Sequence, residues 1–213
     1  MKNALFAGLI LASILFGCKN DTTQEPRKLP YMGLGEIVEK TVDGKTVSDT
    51  LPYTVPGFRF VDQDSSTITE AVVENKVYVA DFFFTSCPTI CPIMKKEMKR
   101  VHDAFLEDDR IKILSHSLDP EYDTVGVLRT YAEDLGVDSR RWHLMTGPKD
   151  SIYYMAKQYM VSAMEDENAP GGYVHSGAFI LVDQQRRIRG YYDGTSPEEV
   201  DQMIREIPQL FDE

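Results

Sequence analysis

Hydrophobic and polar positions alternate over short distances early in the chain and over longer units after residue 76. Between residues 36 and 47, alternating positions flank Asp43-Gly44, a dipeptide that favours the tight turn of a β-hairpin. Residues 58–61 form a second short apolar stretch. The first part of the fold is therefore predicted to contain a β-hairpin followed by a short strand.

From Val77 onward, apolar runs of strand length alternate with amphipathic stretches of helix length. The predicted elements are strand 77–84, helix 92–105, strand 111–118, helix 124–135, strand 142–145, helix 150–160, strands 178–182 and 188–192, and helix 197–210. This order predicts an α/β domain with a central mixed β-sheet flanked by helices. It is similar to the thioredoxin fold, with an N-terminal β-hairpin extension. Residues 161–173 lack a regular pattern and are predicted to form a long functional or mobile loop.

The N-terminal residues follow a different pattern, with Lys2 before an apolar run at 4–16 that ends at Gly17-Cys18. This run is too short to cross a hydrocarbon core of ~30 Å but has the length of a signal-peptide core. Residues 15–18 resemble a bacterial lipoprotein signal, in which Cys18 is lipidated and becomes the mature N-terminus. An ordinary signal peptide with an incidental cysteine is the alternative.

We therefore predict a lipoprotein signal peptide at 1–17, a lipid-anchored flexible tether at 18–35 and a thioredoxin-like domain at 36–213. The protein is expected to be an exported bacterial lipoprotein, anchored to a membrane and facing the periplasm. Its 213 residues, of which 42% are hydrophobic, suffice for one core. The net charge of -11 and the absence of a Lys/Arg cluster argue against binding to nucleic acid. An acidic surface suits a cation or a basic protein patch.

The chain has three cysteines, and lipidation of Cys18 would leave Cys87 and Cys91 in an oxidising compartment. The pair could form a disulfide, a redox couple or a metal site. A purely structural disulfide is the weakest of these, because closing so short a loop removes little chain entropy.

Cys87 and Cys91 lie where the apolar strand turns into a helix, and Pro88 and Pro92 stiffen that turn. A helix N-terminus lowers the pKa of a nearby thiol, and two thiolates are good ligands for a soft or borderline metal ion. Cys91 also extends the apolar stripe of the helix, three residues before Met94, so a small buried core thiol is its alternative role.

A third ligand is sought among the four histidines. His102 lies eleven residues after Cys91 on the same helix, about 16 Å away, and is out of reach. His143 starts a short strand, and a surface or core role is favoured for it. His116 lies near the C-terminal end of a strand, where α/β sites form, and remains a rival. His175 ends a Gly-rich loop directly before a strand and is the predicted third ligand.

Three motifs together resemble the Sco/SenC family of membrane-attached, thioredoxin-like copper chaperones for cytochrome c oxidase assembly. They are CPTICP at 87–92, SLDPEYDT at 117–124, and VHS at 174–176 followed by FILVD at 179–183. The resemblance covers about residues 58–211.

The resemblance implies that Cys87, Cys91 and His175 hold copper, as Cu(I) or Cu(II), and that the two cysteines cycle between dithiol and disulfide. It also implies a copper-accepting subunit of cytochrome c oxidase as the partner. Asp119 matches the family's Ser-x-Asp-Pro element, but we expect it to start a turn and Asp123 to cap the next helix.

Two features depart from the family pattern. Many members keep a spanning N-terminal helix where this chain is predicted to carry a lipid, and Thr89 stands where an acidic residue is often found. Neither departure removes a ligand, although both affect the surface offered to a partner.

Three functions compete at this stage. The leading one is a metallochaperone that delivers copper to the binuclear copper centre of a terminal oxidase. The second is a thiol-disulfide oxidoreductase acting on an exported protein, although such enzymes usually have two residues between the cysteines rather than three. The third is a peroxidase of the same fold, which usually has Pro-x-x-x-Thr before its cysteine, whereas this chain has Asp81 to Ser86.

Overall fold

The computed structural model describes residues 28–213. The predicted signal peptide, Cys18 and the start of the predicted tether therefore lie outside the described residues. No helix within the described residues is both long and apolar enough to cross a membrane.

Strands β1 (Glu36–Val42) and β2 (Lys45–Leu51) form the predicted N-terminal hairpin, a two-stranded sheet of its own. Its turn residues Asp43 and Gly44 have φ values of 51° and 75°. Asp-Gly tolerates these positive φ values, which the tight hairpin turn requires. The hairpin prediction is confirmed.

The remaining elements follow in the expected strand and helix order. They are β3 (Arg59–Asp62), β4 (Thr67–Thr69), β5 (Val77–Phe83), α1 (Cys91–Ala104), β6 (Ile111–Ser117), α2 (Val125–Leu135), β7 (Trp142–Thr146), α3 (Lys149–Gln158), β8 (Ala163–Glu165), β9 (Tyr173–His175), β10 (Ala178–Val182), β11 (Ile188–Asp193) and α4 (Pro197–Glu206). Single 3-10 turns occur at Glu70–Val73, Pro170–Gly172 and Ile207–Leu210. The last of these takes over the final turn of the predicted helix 197–210.

Seven strands form the central sheet in the order β11-β10-β5-β6-β7-β3-β4. β5, β6 and β7 are parallel, whereas β3, β10 and β11 join the sheet antiparallel to their neighbours. Helices α1, α2 and α4 pack on one face of this mixed sheet, and α3 packs on the other. The predicted thioredoxin-like α/β architecture, with a central mixed sheet flanked by helices, is confirmed.

Strand β5 is buried on both faces, and apart from Asp81 the side chains that it buries are largely apolar, as is typical of a central strand. Val79 and Phe83 contribute to the core beneath α1, while Tyr78 and Phe82 contribute to the core beneath α3. The parallel strand β6 starts and ends level with β5. Both strands therefore end at one edge of the sheet, and the chain leaves β5 there to reach Cys87.

The stretch predicted as one irregular loop contains regular structure, so that prediction was wrong in part. β8 pairs with β9 in an antiparallel ribbon that sets Ala163 opposite His175 and Met164 opposite Val174. Each strand has only three residues, too few for an alternating pattern to be visible in the sequence. The ribbon fixes the position of His175.

The last residues of the predicted tether lie against the domain. The backbone N–H of Met32 donates to the carbonyl of Ile188 at 2.8 Å. The buried Arg189 side chain donates to the carbonyls of Pro30 at 3.1 Å and Leu29 at 2.6 Å. Residues 29–32 are thus attached to the start of β11, in contrast to the free tether expected through residue 35.

Candidate metal centre

The two cysteines lie on the connection between β5 and α1. The backbone N–H of Cys87 donates to the carbonyl of Phe84 at 3.3 Å and closes the turn after the strand. α1 begins at Cys91 with Pro92 in its first turn, and the capping residue Ile90 offers no side-chain hydrogen bond. Both cysteines are free thiols and both are buried. The sulfurs therefore lie at a helix start, as predicted.

His175 reaches the cysteines from the end of β9. Its Nδ1 lies 3.0 Å from the carbonyl oxygen of Ser176, and a carbonyl can only accept a hydrogen bond. Nδ1 must therefore carry the proton, which leaves a free lone pair on Nε2. That Nε2 lies 3.5 Å from the Sγ atom of Cys91.

The three predicted ligands come together in space. The Sγ atoms of Cys87 and Cys91 and a ring nitrogen of His175 all lie within 4.8 Å of one another. His175 follows Cys91 by 84 residues, so only the tertiary fold unites them. Within residues 28–213, this is the one group of three or more such side chains with metal-binding spacing.

Burial shifts the pKa values of the three groups differently. Burial raises the pKa of Cys87, but hydrogen bonds from Thr89 and Cys91 outweigh it and leave the pKa below its ordinary value. Burial raises the pKa of Cys91 well above its ordinary value, and a backbone hydrogen bond at Phe84 offsets only part of this. The expectation of a lowered thiol pKa at the helix start is thus met at Cys87 and wrong at Cys91. Burial also lowers the pKa of His175, which keeps its imidazole neutral and able to bind a metal ion.

Two residues that the sequence analysis did not single out shape the surroundings of His175: Phe84 contacts its ring, and Gly171 leaves room for Phe84. The ring of Phe84 lies edge-on to the His175 ring, with centroids 5.8 Å apart. A Cβ atom on Gly171 would lie 2.7 Å from the Phe84 ring, and Gly171 has a φ of +79°. Gly171-Gly172 in the sequence was the available signal, but its contact with Phe84 is a tertiary one.

The chemistry of the donors decides which ions fit. Two sulfurs and one imidazole suit soft or borderline ions such as copper or zinc, whereas magnesium and calcium prefer oxygen ligands. The neutral His175 imidazole and the adjacent Phe84 ring bring no charge to the site, so any negative charge on the ligands comes from the two cysteines. The residues present therefore fit a copper ion.

The sequence profile of the SCO1/SenC family matches residues 48–212, most of the chain. The protein belongs to the SCO1/SenC family. The N-terminal hairpin starts before the matched region, and the cysteine pair and His175 lie inside it.

Three solved structures resemble this SCO1/SenC protein. A SCO1/SenC family lipoprotein from Bacillus anthracis has a TM-score of 0.68 and 28% identity, over 74% of this chain and 95% of that one. BsSco, described as a member of the Sco family of cytochrome c oxidase assembly proteins and as having a disulfide switch, has a TM-score of 0.63 and 25% identity, over 74% and 95%. ScoI of Bradyrhizobium japonicum, solved with copper bound, has a TM-score of 0.61 and 23% identity, over 72% and 99%.

The rival ligand His116 lies on the other side of the sheet in this SCO1/SenC protein. Its ring stacks on Phe82 at 4.8 Å and meets Phe60 edge-on at 5.5 Å, within the core beneath α3. Cys87 and Cys91 belong to the core beneath α1. The sheet therefore separates His116 from the thiols.

The other two histidines have partners of their own. His143 lies 3.0 Å from the carboxylate of Asp62, and His102 lies 2.9 Å from that of Asp103. Neither belongs to the group of ligands at the cysteines.

The two aspartates of the DPEYD segment lie beside the centre and outside its ligand group. Asp119 starts a turn as expected, because its carboxylate accepts from the backbone N–H of Tyr122 at 3.3 Å. The capping role expected for Asp123 is wrong. Thr124 caps α2 by accepting from the backbone N–H of Val127, because its hydroxyl is one residue nearer the helix.

Proposed function

We propose that this protein is a metallochaperone that binds copper through Cys87, Cys91 and His175 and delivers it to the binuclear copper centre of a terminal cytochrome c oxidase. The observation that carries the proposal is the convergence of two sulfurs and the free His175 nitrogen within 4.8 Å. The copper-bound ScoI structure and the oxidase-assembly role stated for BsSco support the cargo and the recipient.

The arrangement suits a protein that must release its cargo. A structural metal site usually closes the coordination shell with four protein ligands, whereas three leave a position open. Pro88 and Thr89 are exposed beside the cysteines, and His175 is only partly buried. A ligand from a recipient protein would therefore have room to join before any ligand of this chain departs.

Copper loading of the full chain tests this function. The reduced protein should bind one copper ion per chain and compete with a Cu(I) chelator, because both thiols are then available as thiolates. Cys87→Ser and Cys91→Ser should each lose this competition. Equal copper uptake by the reduced protein and by protein oxidised to a Cys87–Cys91 disulfide would contradict a two-thiolate site.

We also propose that the protein is an exported lipoprotein, anchored through Cys18 and facing the periplasm. The lipoprotein from Bacillus anthracis supports this location by analogy. A Cys18→Ser protein should lose stable membrane attachment while its domain still takes up copper. An unmodified Cys18 in the membrane-bound mature chain, found by mass spectrometry, would contradict the anchor.

Thiol-disulfide exchange with an exported protein is the second candidate function. Its supporting observation is that Cys87 and Cys91 are free thiols whose sulfurs lie within 4.8 Å, so a small movement would join them. Rapid turnover with a disulfide-containing protein and no retained metal would favour this function. Tight retention of one copper ion without turnover would favour the metallochaperone.

A further inference from the structure

Asp123 has a carboxylate that is fully buried beside the turn that carries Cys87. One carboxylate oxygen accepts from the backbone N–H of Thr85 at 3.1 Å and from the Ser117 hydroxyl at 2.5 Å. The other oxygen accepts a hydrogen bond from the Thr85 hydroxyl. A buried carboxylate that satisfies three donors on two segments fixes those segments relative to each other.

Thr85 stands between the end of β5 and Cys87. The turn continues through the Cys87 N–H, which donates to the Phe84 carbonyl at 3.3 Å. On the other strand, the backbone N–H of Leu118 donates to the Phe83 carbonyl at 2.8 Å. Asp123 therefore fastens the cysteine turn where the paired strands β5 and β6 come to an end.

The segment from Ser117 to Asp123 also borders the ribbon that carries His175. The Lys149 ammonium lies 4.0 Å from the Glu121 carboxylate and also pairs with the carboxylate of Glu165 in β8. The Tyr173 ring packs on Phe84 with centroids 5.0 Å apart, and Phe84 in turn contacts His175. The segment is thus linked to the cysteine turn through Asp123 and to the ribbon that carries His175 through Lys149.

We propose that Asp123 is a positioning residue for the metal centre. Acting through Thr85, its carboxylate holds the turn that places the Cys87 sulfur within reach of Cys91 and His175. This inference rests on the copper site proposed above, but it also makes a claim about the two sulfurs that needs no metal.

The carboxylate cannot be replaced by its closest neutral analogue. Asp123→Asn keeps the shape but brings an NH₂ group, a donor, against donors from Thr85 and Ser117. Thr85→Val removes only the hydroxyl and keeps both the side-chain volume and the backbone N–H. If Asp123 acts through Thr85, the double variant should be no worse than Asp123→Asn alone.

Asp183→Asn is the matched control, because Asp183 is also buried and holds a turn through its side chain. It accepts from the backbone N–H groups of Gln185 at 3.0 Å and Arg187 at 2.9 Å, at the sheet end away from the cysteines. This variant should lower the midpoint of urea unfolding without changing the metal centre.

The test measures two constants for the full-length parent and each variant. One is the Cu(I) affinity by chelator competition, and the other is the equilibrium constant between dithiol and disulfide in glutathione buffers without metal. Asp123→Asn should weaken Cu(I) binding by ~10 to 100-fold, as changes to groups that orient a ligand do, and should shift the dithiol–disulfide equilibrium. Thr85→Val should shift both constants in the same direction by less, and Asp183→Asn should shift neither.

Several outcomes would overturn the inference. If Thr85→Val matches the parent in both constants, Asp123 does not position Cys87 through that hydroxyl, and this variant decides the matter even where Asp123→Asn fails to fold. Additive losses in the double variant would likewise show that the two residues act separately. If the parent itself binds no copper, the proposed function fails. The role of Asp123 is then tested by the dithiol–disulfide equilibrium alone, and an unchanged constant in Asp123→Asn and Thr85→Val would overturn it.

Discussion

His175 is prepared to bind a metal ion by the hydrogen bond at its other ring nitrogen. The Ser176 carbonyl holds the proton on Nδ1 at 3.0 Å, and the Phe84 ring limits how the imidazole can turn. Partners of this kind set the tautomer and orientation of a metal-binding histidine and raise its affinity. Ser176 and Phe84 therefore belong to the centre although neither offers a ligand.

His175→Ala should weaken Cu(I) binding by at least ~10 to 100-fold, because it removes one of three ligands and not merely a supporting group. The fold should change little, since the side chain is at the surface end of a short ribbon. His102→Gln is the control and should bind copper like the parent, because His102 lies far along α1. Chelator competition measures both, and unchanged binding in His175→Ala would exclude this ligand.

The ligands could be anticipated from the sequence to an unequal degree. The cysteine pair was apparent because its prolines and the strand-to-helix turn are local features. The role of Asp123 was not, because its carboxylate meets Thr85, which lies 38 residues away in the chain. The opposite pKa shifts of the two thiols depend on how deeply each is packed, and no local pattern records that.

The β8–β9 ribbon is the element that brings the histidine to the thiols. Between its strands, Gly171 and Gly172 both have positive φ values, 79° and 84°. A Cβ on Gly171 would meet the Phe84 ring at 2.7 Å and Pro88 at 3.2 Å, whereas one on Gly172 would meet nothing within 4 Å. The two glycines thus share a backbone requirement, and only the first also has a steric one.

Gly171→Ala and Gly172→Ala therefore form a matched pair. Each should cost about 1 to 2 kcal/mol of folding free energy for the left-handed backbone. Gly171→Ala should in addition push Phe84 away from His175 and weaken Cu(I) binding, which Gly172→Ala should leave unchanged. Urea unfolding and chelator competition measure the two effects, and equal copper affinities in both variants would contradict the steric role.

At the scale of elements, sequence patterns predicted the long units and missed the short ones. Helices α1 to α4 and strands β5 and β6 show their periodicity over seven or more residues each. β4 and β8 have three residues each, and each pairs with another short strand nearby in the chain. Three residues are too few to show an alternation of apolar and polar positions, so no local pattern could reveal these strands.

His116 is a neutral histidine buried in the core beneath α3, on the side of the sheet away from the metal centre. Burial among aromatic rings lowers the pKa of His116 from 6.5 to about 4, and its Nε2 has no hydrogen-bond partner. Between these pH values the unfolded chain binds a proton that the folded chain does not. The stability contributed by a neutral His116 is therefore complete above pH 6.5 and lost as the pH falls towards 4.

His116→Leu should remove this pH dependence. The parent should lose about 3 kcal/mol of unfolding free energy relative to the variant between pH 6.5 and pH 4. Urea unfolding of both proteins at several pH values measures the difference. The two proteins must be compared because Asp81 also titrates in this range, since burial raises its pKa to about 7. Asp81 makes the unfolding free energy rise as the pH falls, by the same amount in the parent and in the variant, so its effect cancels in the difference. Parallel curves would show that His116 titrates normally.

Residues 29–32 attach to the start of β11, whereas the metal centre lies at the other end of the sheet, because β11 runs antiparallel to β10 and β10 to β5. If Cys18 carries the lipid, the eleven residues from it to Leu29 span at most about 40 Å. The lipid would then hold the domain by the end of the sheet opposite the metal centre, which would leave the copper site on the side of the domain away from its point of attachment. A recipient protein would have to present its copper centre within the distance that this anchored segment allows. The two proteins would therefore meet by lateral diffusion within one membrane and not through the bulk solution.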